Sequence, residues 1–348
     1  MKLLSPLVES PMGHQVLRAL QRLEAQRPNQ LLVLTYHAVE SLESFETQMN
    51  YLAANYEIVG MMDVVDAVAA RKRLPPAALL ITFDDAYRNF AECAWPVLRR
   101  YGLPVTLFVP TAFPSPEGRT RAGTAGDAPG RIYWWDRLEH ALLTTTRRSD
   151  LDTPVGRLPM ATAGQRRAAL RRLKQYMWDL PHTEILAWLH EISDRLAVTA
   201  PRSEVMGWDE LRHLKSQGVT LAPHSRTHPK MSRITAEQAH AEVAGSLADL
   251  QRETGPVLPV FAYPGGHYNK ETVKALEKEN FLLGFTTLRG TNYLPTARRL
   301  ELRRNHIASN ATLSALQARL LYGARLLNGW HTLRKKGPFR KNTKGYES

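Results

Sequence analysis

Seven residues, Leu79 to Asp85 (LLITFDD), set the terms for everything else in the chain. A run of apolar and β-branched residues follows the Pro75-Pro76 break and ends in a polar turn, the pattern of a short strand buried on both faces of a parallel sheet. Strands of this kind carry chemistry at their C-terminal ends. Successive strand side chains alternate, so the carboxylates of Asp84 and Asp85 leave the core in different directions. One is free to hold a metal while the other handles a proton. A solvated Asp-Asp turn is the competing reading, and a partner elsewhere in the chain has to decide between them.

The chain has 348 residues, 43% hydrophobic and 23% charged, enough for one large α/β domain or two smaller ones and not the composition of a disordered segment. A net charge of +13 suggests an anionic partner: nucleic acid, phospholipid headgroups or an acidic glycan. Nucleic acid is disfavoured, because no helix-turn-helix, zinc-finger or aromatic RNA-binding signature accompanies the charge. Cys93 is the only cysteine, which rules out an intrachain disulfide and a Cys-based zinc site. The opening MKLLSPLVES is cut by Pro6 and ended by Glu9, too short for a secretory apolar segment, and no stretch approaches the roughly 18 apolar residues of a membrane span. The expectation is a cytoplasmic protein that touches a membrane, if at all, only at its surface.

In order, residues 14 to 26 have the spacing of a short amphipathic helix. Leu31 to Tyr36 reads as a strand ending at His37, a candidate wall residue of a site. Phe45 to Asn55 and Met61 to Arg71 read as helices, and a helix over Ala91 to Tyr101 leads through Gly102-Leu103-Pro104 to a strand over Val105 to Val109, completing a βαβ unit. Residues 114 to 204 read as a largely helical insertion opened by a Gly/Pro-rich loop, covering one end of the barrel or sheet. Helices over Trp208 to Gly218, 235 to 253 and 270 to 279 alternate with strands over Val219 to Ala222, Val257 to Tyr263, Phe281 to Thr287 and Leu300 to Ile307. After Ala222 comes Pro-His-Ser-Arg-Thr-His-Pro, whose prolines argue for a strand-end loop carrying His224 and His228.

Three strand ends, at Asp84-Asp85, His224/His228 and Tyr263-Pro264, would then share the C-terminal rim of a parallel barrel. One carboxylate and two imidazoles suit zinc or a similar divalent ion and leave a coordination position for water, a set fitted to hydrolysis.

TFDD at Thr82 to Asp85, HSRTH at His224 to His228 and FAYPGG at Phe261 to Gly266 resemble, in order, the three leading motifs of the polysaccharide deacetylases, the carbohydrate esterases with NodB homology. LTYHAV and the passage from WDEL to GVTLAPHS extend the resemblance over roughly residues 31 to 308. It implies a distorted (β/α) barrel preceded by an N-terminal helix (1–30) and followed by a basic helical tail (309–348). Carried over by position, Asp84 is the base, Asp85, His224 and His228 bind the metal, and the Gly265 N–H helps hold the developing oxyanion. Tyr263 and Pro264 become substrate-binding residues, and His306 in LRRNHI is the late histidine that would protonate the leaving amine. The metal is expected to be Zn²⁺, with Co²⁺, Ni²⁺ or Mn²⁺ as alternatives in a mixed N/O site. The implied reaction removes N-acetyl groups from a glycan, as in the bacterial exopolysaccharide or poly-N-acetylglucosamine branch. Two positions depart from the usual pattern: Ala262 stands where many members have an arginine holding the base, a trait shared with the exopolysaccharide branch, and Gly265 stands where an aromatic is usual, which implies a wider or differently shaped sugar site.

Residues 312 to 340 mix leucines with Arg319, Arg325, Arg334, Lys335 and Lys336, a helix packed on the barrel with a solvated basic end or, alternatively, a peripheral contact with anionic membrane. Competing functions are hydrolysis of another C–N bond on the same barrel and a catalytically silent carbohydrate-binding barrel.

Overall fold

The structure, a computed structural model, describes residues 29–115, 132–199, 201 and 204–323. The helix expected over 14–26 lies outside them.

β3 (Ala78–Phe83) occupies the middle of the sheet, and all six of its residues are buried. The twofold period of a strand divides them. Ala78 and Leu80 face a closed interior shared with Val33, Phe108, Ala222 and Phe285, while Leu79, Ile81 and Phe83 face the covering helices. A strand covered on both sides needs apolar residues at nearly every position, which is why this one reads as an unbroken run.

β1 (Gln30–Tyr36) and β4 (Val105–Val109) flank β3 in parallel, Tyr36 lying opposite Phe83 and Thr82 opposite Thr106. The short β2 (Glu57–Ile58) also pairs with β3. Within the insertion, β5 (Leu151–Thr153) and β6 (Gly156–Leu158) form a separate hairpin. β7 (Thr220–Pro223) extends the main sheet beyond β4, with Pro223 opposite Val109. β8 (Val260–Ala262) and β9 (Leu283–Phe285) make a parallel pair of their own. On the far side of β1 lie β10 (Asn292–Tyr293), antiparallel, and β11 (Asn305–His306), parallel. The ring closes through a bridge from Phe285 to Leu302 and a hydrogen bond from His224 Nδ1–H to the Ala262 carbonyl. The architecture is a distorted (β/α) barrel assembled from a seven-stranded sheet and a two-stranded piece. The strand expected over Leu300 to Ile307 shrinks to β11, because beside β9 the segment forms only an isolated bridge: Leu302 N–H donates to the Gly284 carbonyl and its carbonyl accepts from Thr286 N–H, while the Arg299 carbonyl accepts from Gly284 N–H.

Helices α1 (Leu42–Asn55), α2 (Met61–Val68) and α3 (Trp95–Arg100) cover the first half of the barrel, a π-helical turn at Phe90–Ala94 preceding α3. The insertion contributes α4 (Trp134–Thr144), α5 (Ala163–Met177) and α6 (His182–Leu196), packed around their own core of Leu138, Leu142, Leu173, Leu189 and Ile192. Its hairpin adds two strands to the largely helical insertion expected from sequence; strands of three residues are too short to display a period. Then come α7 (Trp208–Ser216), α8 (Ala236–Thr254), α9 (Lys270–Lys278) and α10 (Leu313–Gly323), which packs on α1.

Candidate metal centre and active site

The inward series of β3 runs Ala78, Leu80, Thr82 and then Asp84, one step beyond the strand. Ladder bonding continues that far: Asp84 N–H donates to the Tyr36 carbonyl at 3.0 Å, and His224 N–H to the Val109 carbonyl at 2.9 Å. Register therefore brings residues from two distant motifs to the same rim. Four non-glycine residues there adopt left-handed backbone, Asp85 (φ 71°), Ala86 (φ 50°), Ser225 (φ 64°) and His228 (φ 55°). Such conformations cost non-glycine residues on the order of 1–3 kcal/mol each and persist where the surroundings over-determine them.

Asp85 Oδ1 lies 3.3 Å from His228 Nε2 and 3.6 Å from His224 Nε2, and the three side chains are at most 6% exposed. The His224 Nδ1–H bond to the Ala262 carbonyl, 2.7 Å, leaves the Nε2 lone pair aimed at the carboxylates. Burial, against the pull of Asp84, pushes the His224 imidazole down to about 4, so it is neutral at neutral pH. Burial also opposes ionisation of Asp85, but His228, then His37 and His224, outweigh it and hold the carboxyl below its ordinary value.

Asp85 Oδ1 and His228 Nδ1 are buried without a hydrogen-bond partner. A buried carboxylate oxygen facing an imidazole lone pair is an arrangement that a shared cation satisfies. Tetrahedral zinc with bonds of about 2.0–2.1 Å separates its ligand atoms by roughly 3.3–3.5 Å, close to the spacings found here. The donor set fits a divalent metal, and among the described residues it is the one such group of three.

Asp84 is held by Arg304, a residue that sequence reasoning missed. Arg304 is fully buried and grips both Asp84 oxygens, Nη1 to Oδ1 and Nη2 to Oδ2, each at 2.8 Å. Nε donates to the Thr286 carbonyl, Nη1 reaches Thr35 Oγ1, and the guanidinium lies over the Phe108 ring. Burial opposes ionisation of Asp84, yet the Arg304 guanidinium, through its charge and its hydrogen bonds, outweighs it and keeps the carboxyl well below the usual carboxylate range. The arginine absent at Ala262 is replaced in space from the strand region before β11. The signal was present in LRRNHI, but sequence alone does not say which of Arg303 and Arg304 faces inward.

His37 ends β1 with Nε2 3.8 Å from Asp85 Oδ2, and its ring meets His306 edge to face at 5.2 Å. Thr35 pairs with His306, so both imidazoles stand on this rim. His306 keeps a solvent-facing edge, but desolvation, then His37 and Arg319, lower it to about 4. It rests neutral at neutral pH.

Tyr263 and Pro264 are corrections. Strand period turns Tyr263 outward from β8 into the core with Phe261, Phe281 and Leu300; it is fully buried and its hydroxyl donates to the Leu300 carbonyl. Pro264 is buried beneath the turn. Neither side chain is open to a substrate. Gly265 is exposed with φ 57°, ψ 9°, which glycine adopts without penalty. Of the two expectations at Gly265, a wider or a differently shaped pocket, the structure bears on the second. A Cβ on Gly265 would come 2.9 Å from Trp178 Cζ2, so the insertion supplies an indole where the barrel lacks a ring. Trp178 and Trp135 in turn lie 6.4 and 4.9 Å, centroid to centroid, from His228.

The sequence model described as polysaccharide deacetylase matches residues 182–283, a span containing His224, His228 and the Pro-Gly-Gly turn. The Bacillus subtilis (strain 168) protein YxkH, which carries a polysaccharide deacetylase name, is 20% identical over 273 residues, 76% of this chain and 67% of YxkH. Among solved structures, the Streptococcus pyogenes deacetylase PplD, in complex with acetate, superposes with a TM-score of 0.55 at 17% identity, covering 84% of this chain and 99% of PplD. IcaB from Ammonifex degensii gives 0.55 at 18% identity, covering 85% and 98%. At these identities the superpositions speak for the fold, and the family match adds the second and third motifs, in place on that fold. Over residues 182–283 the chain is similar to the polysaccharide deacetylases, and its fold is the one those enzymes adopt.

Proposed function

We propose that this protein is a metal-dependent de-N-acetylase acting on amino sugars of a glycan, either an exopolysaccharide or a lipid-linked glycan precursor. One observation carries the reading. An ionised carboxylate clamped by Arg304 stands beside an unpaired carboxylate and two imidazoles on the same barrel rim.

Asp85, His224 and His228 would hold the ion, which when bound supplies Lewis acidity toward the acetyl oxygen and lowers the pKa of water. Asp84 is the proton acceptor. Arg304 occupies one direction on each of its oxygens, leaving lone pairs free, and fixes the carboxylate so that no reorganisation precedes proton transfer. The same clamp lowers proton affinity, so Asp84 accepts a proton only as the attacking water loses it. The Gly265 N–H is assigned to the acetyl oxygen as negative charge builds there. Water oxygen bonds to the acetyl carbon, the C–N bond breaks, and acetate and a free amine result. The amine leaves with a proton. His306 is assigned to deliver it, and because that ring rests neutral at neutral pH it must first be charged during the cycle.

The test is acetate release from a panel of N-acetylated glycans, with metal content measured on the same samples. Chelation should abolish release and Zn²⁺ restore it. Asp84→Asn should lower kcat by about a thousandfold or more while leaving metal stoichiometry unchanged. Acetate release that survives complete metal removal would overturn the proposal.

A further inference from the structure

Next to the candidate centre runs a groove of about 630 Å³ that neither barrel nor insertion makes alone. It starts at His228, passes Trp178, and continues between Pro181 and Thr183 of the insertion and Lys230 and Ile234 of the loop after β7. Trp178 stands at its entrance, half-buried, capping α5 through its N–H bond to the Lys174 carbonyl. Its indole is 6.1 Å from the His267 ring and packs on Trp134 at 5.7 Å. The ring is therefore held from behind, and its outer part closes over Gly265 at the very place where a side chain is missing.

The charges along the groove are already matched. Lys230 is paired with Asp179, Arg233 lies 3.9 Å from the same carboxylate, and Glu242 accepts from the Arg226 and Thr227 amides and the Thr227 hydroxyl. The two cations and two carboxylates of the lining sum to no net charge, so the groove as a whole does not select for an anionic ligand. What remains is an indole, apolar patches from Pro181 and Ile234, and scattered hydroxyl and amide groups. That surface matches a chain of neutral pyranose rings, each offering an apolar C–H face and a rim of hydroxyls. The volume lies within the about 300–1,000 Å³ that accommodates ligands larger than a single sugar.

We propose that Trp178 is the stacking platform for the sugar beside the reacting unit, and that the groove beyond it takes further neutral sugar units. The inference rests on the deacetylase reading and deepens it.

The experiment uses the full chain with linear N-acetylglucosamine oligomers, from monomer to pentamer. Acetate release gives kcat and KM, and calorimetry on the Asp84→Asn protein gives binding. For the unaltered protein KM should fall as the oligomer lengthens. Trp178→Ala should raise the pentamer KM about tenfold, change kcat less than about threefold, and flatten the length dependence, while Trp178→Phe keeps most of it. Thr183→Trp, which adds bulk at an exposed groove position far from any core, should flatten it likewise. Should Trp178→Ala fail to fold, Trp178→Phe and Thr183→Trp carry the test, with melting curves as control. Equal pentamer KM in Thr183→Trp and the unaltered protein, together with equal calorimetric affinity in Asp84→Asn with and without Thr183→Trp, would overturn the proposal. So would tighter binding of a uronic-acid pentamer than of the neutral one. If no oligomer releases acetate, the deacetylase reading fails, and pentamer affinity with and without Thr183→Trp still decides the groove.

Discussion

Arg304 bears a full charge with no exposed surface, and such a group is tolerated only when its partner is equally well fixed. Its partner is Asp84, and the two oxygens and two guanidinium nitrogens form a planar fork that lysine cannot reproduce. Arg304→Met should cost roughly 3–5 kcal/mol in stability by leaving the carboxylate buried and unpaired, and kcat should fall at least about a hundredfold. Adding Asp84→Asn to it should recover most of the stability and none of the activity. Urea unfolding with parallel acetate assays checks both halves; a stable, inactive Arg304→Met would show that the arginine does not act through Asp84's charge. Asp84, Asp85, His224 and His228 were legible as a constellation because each follows a strand recognisable from its apolar run. Arg304 was not, since it sits in a short, irregular stretch where the inward parity of neighbouring arginines is set by a single β11 register and not by a visible period. Tyr263 shows the converse: its strand was visible, but which face it took depended on where β8 meets the barrel interior.

At the level of elements, α4 ties the insertion to the loop after β3. Tyr133, just before α4, donates its hydroxyl to the Asp85 carbonyl at 2.7 Å; Trp135 Nε1–H donates to Tyr87 Oη, and Tyr87 in turn donates to Asp136 Oδ2. Asp136 lies in the first turn of α4, where a helix dipole favours the anion, yet burial, with Asp85 and Glu139 nearby, raises it to about 7. Its folded value lies above the ordinary 3.8, so the fold favours the protonated form. That stabilisation is complete below about pH 4 and is lost as pH rises toward and through 7. Between pH 5 and pH 8 the metal-free protein should lose on the order of 2 kcal/mol through this group. Asp136→Asn keeps an acceptor for the Tyr87 hydroxyl and has nothing to titrate, so its stability should fall less over the same interval. Chemical denaturation of both proteins at the two pH values measures the difference, and parallel curves would mean Asp136 does not titrate there. The α-helices of the insertion were readable from their apolar spacing, but the loop-to-helix network was not, because Trp134 and Trp135 look alike in sequence and only the capping turn at Tyr133 decides which one faces Tyr87.

Across the whole molecule, barrel, insertion and C-terminal helix divide the work: the barrel sets the reacting groups on one rim, and the insertion brings indoles to that rim. The C-terminal segment contains two different things. Up to Gly323 it is part of the fold, with Leu316 and Leu320 buried in the core shared by α1 and β1, and the Ala311 carbonyl accepting from Ser44 Oγ and Gln48 Nε2. The final 25 residues lie outside the described region and hold seven basic residues against one acidic, nearly half of the net +13. A chain ending at 311 therefore removes core, while one ending at 323 removes mainly charge. The first should lose about 3–6 kcal/mol, the contribution of two fully buried leucines, and the second should stay within about 0.5 kcal/mol of the full chain. Thermal and urea unfolding of the three proteins distinguishes these outcomes; equal stability for both truncations would mean that α10 rests on the barrel without belonging to its core. Any comparison of affinity for anionic surfaces belongs between the full chain and the version ending at 323, because only that cut changes the charge and leaves the barrel packed.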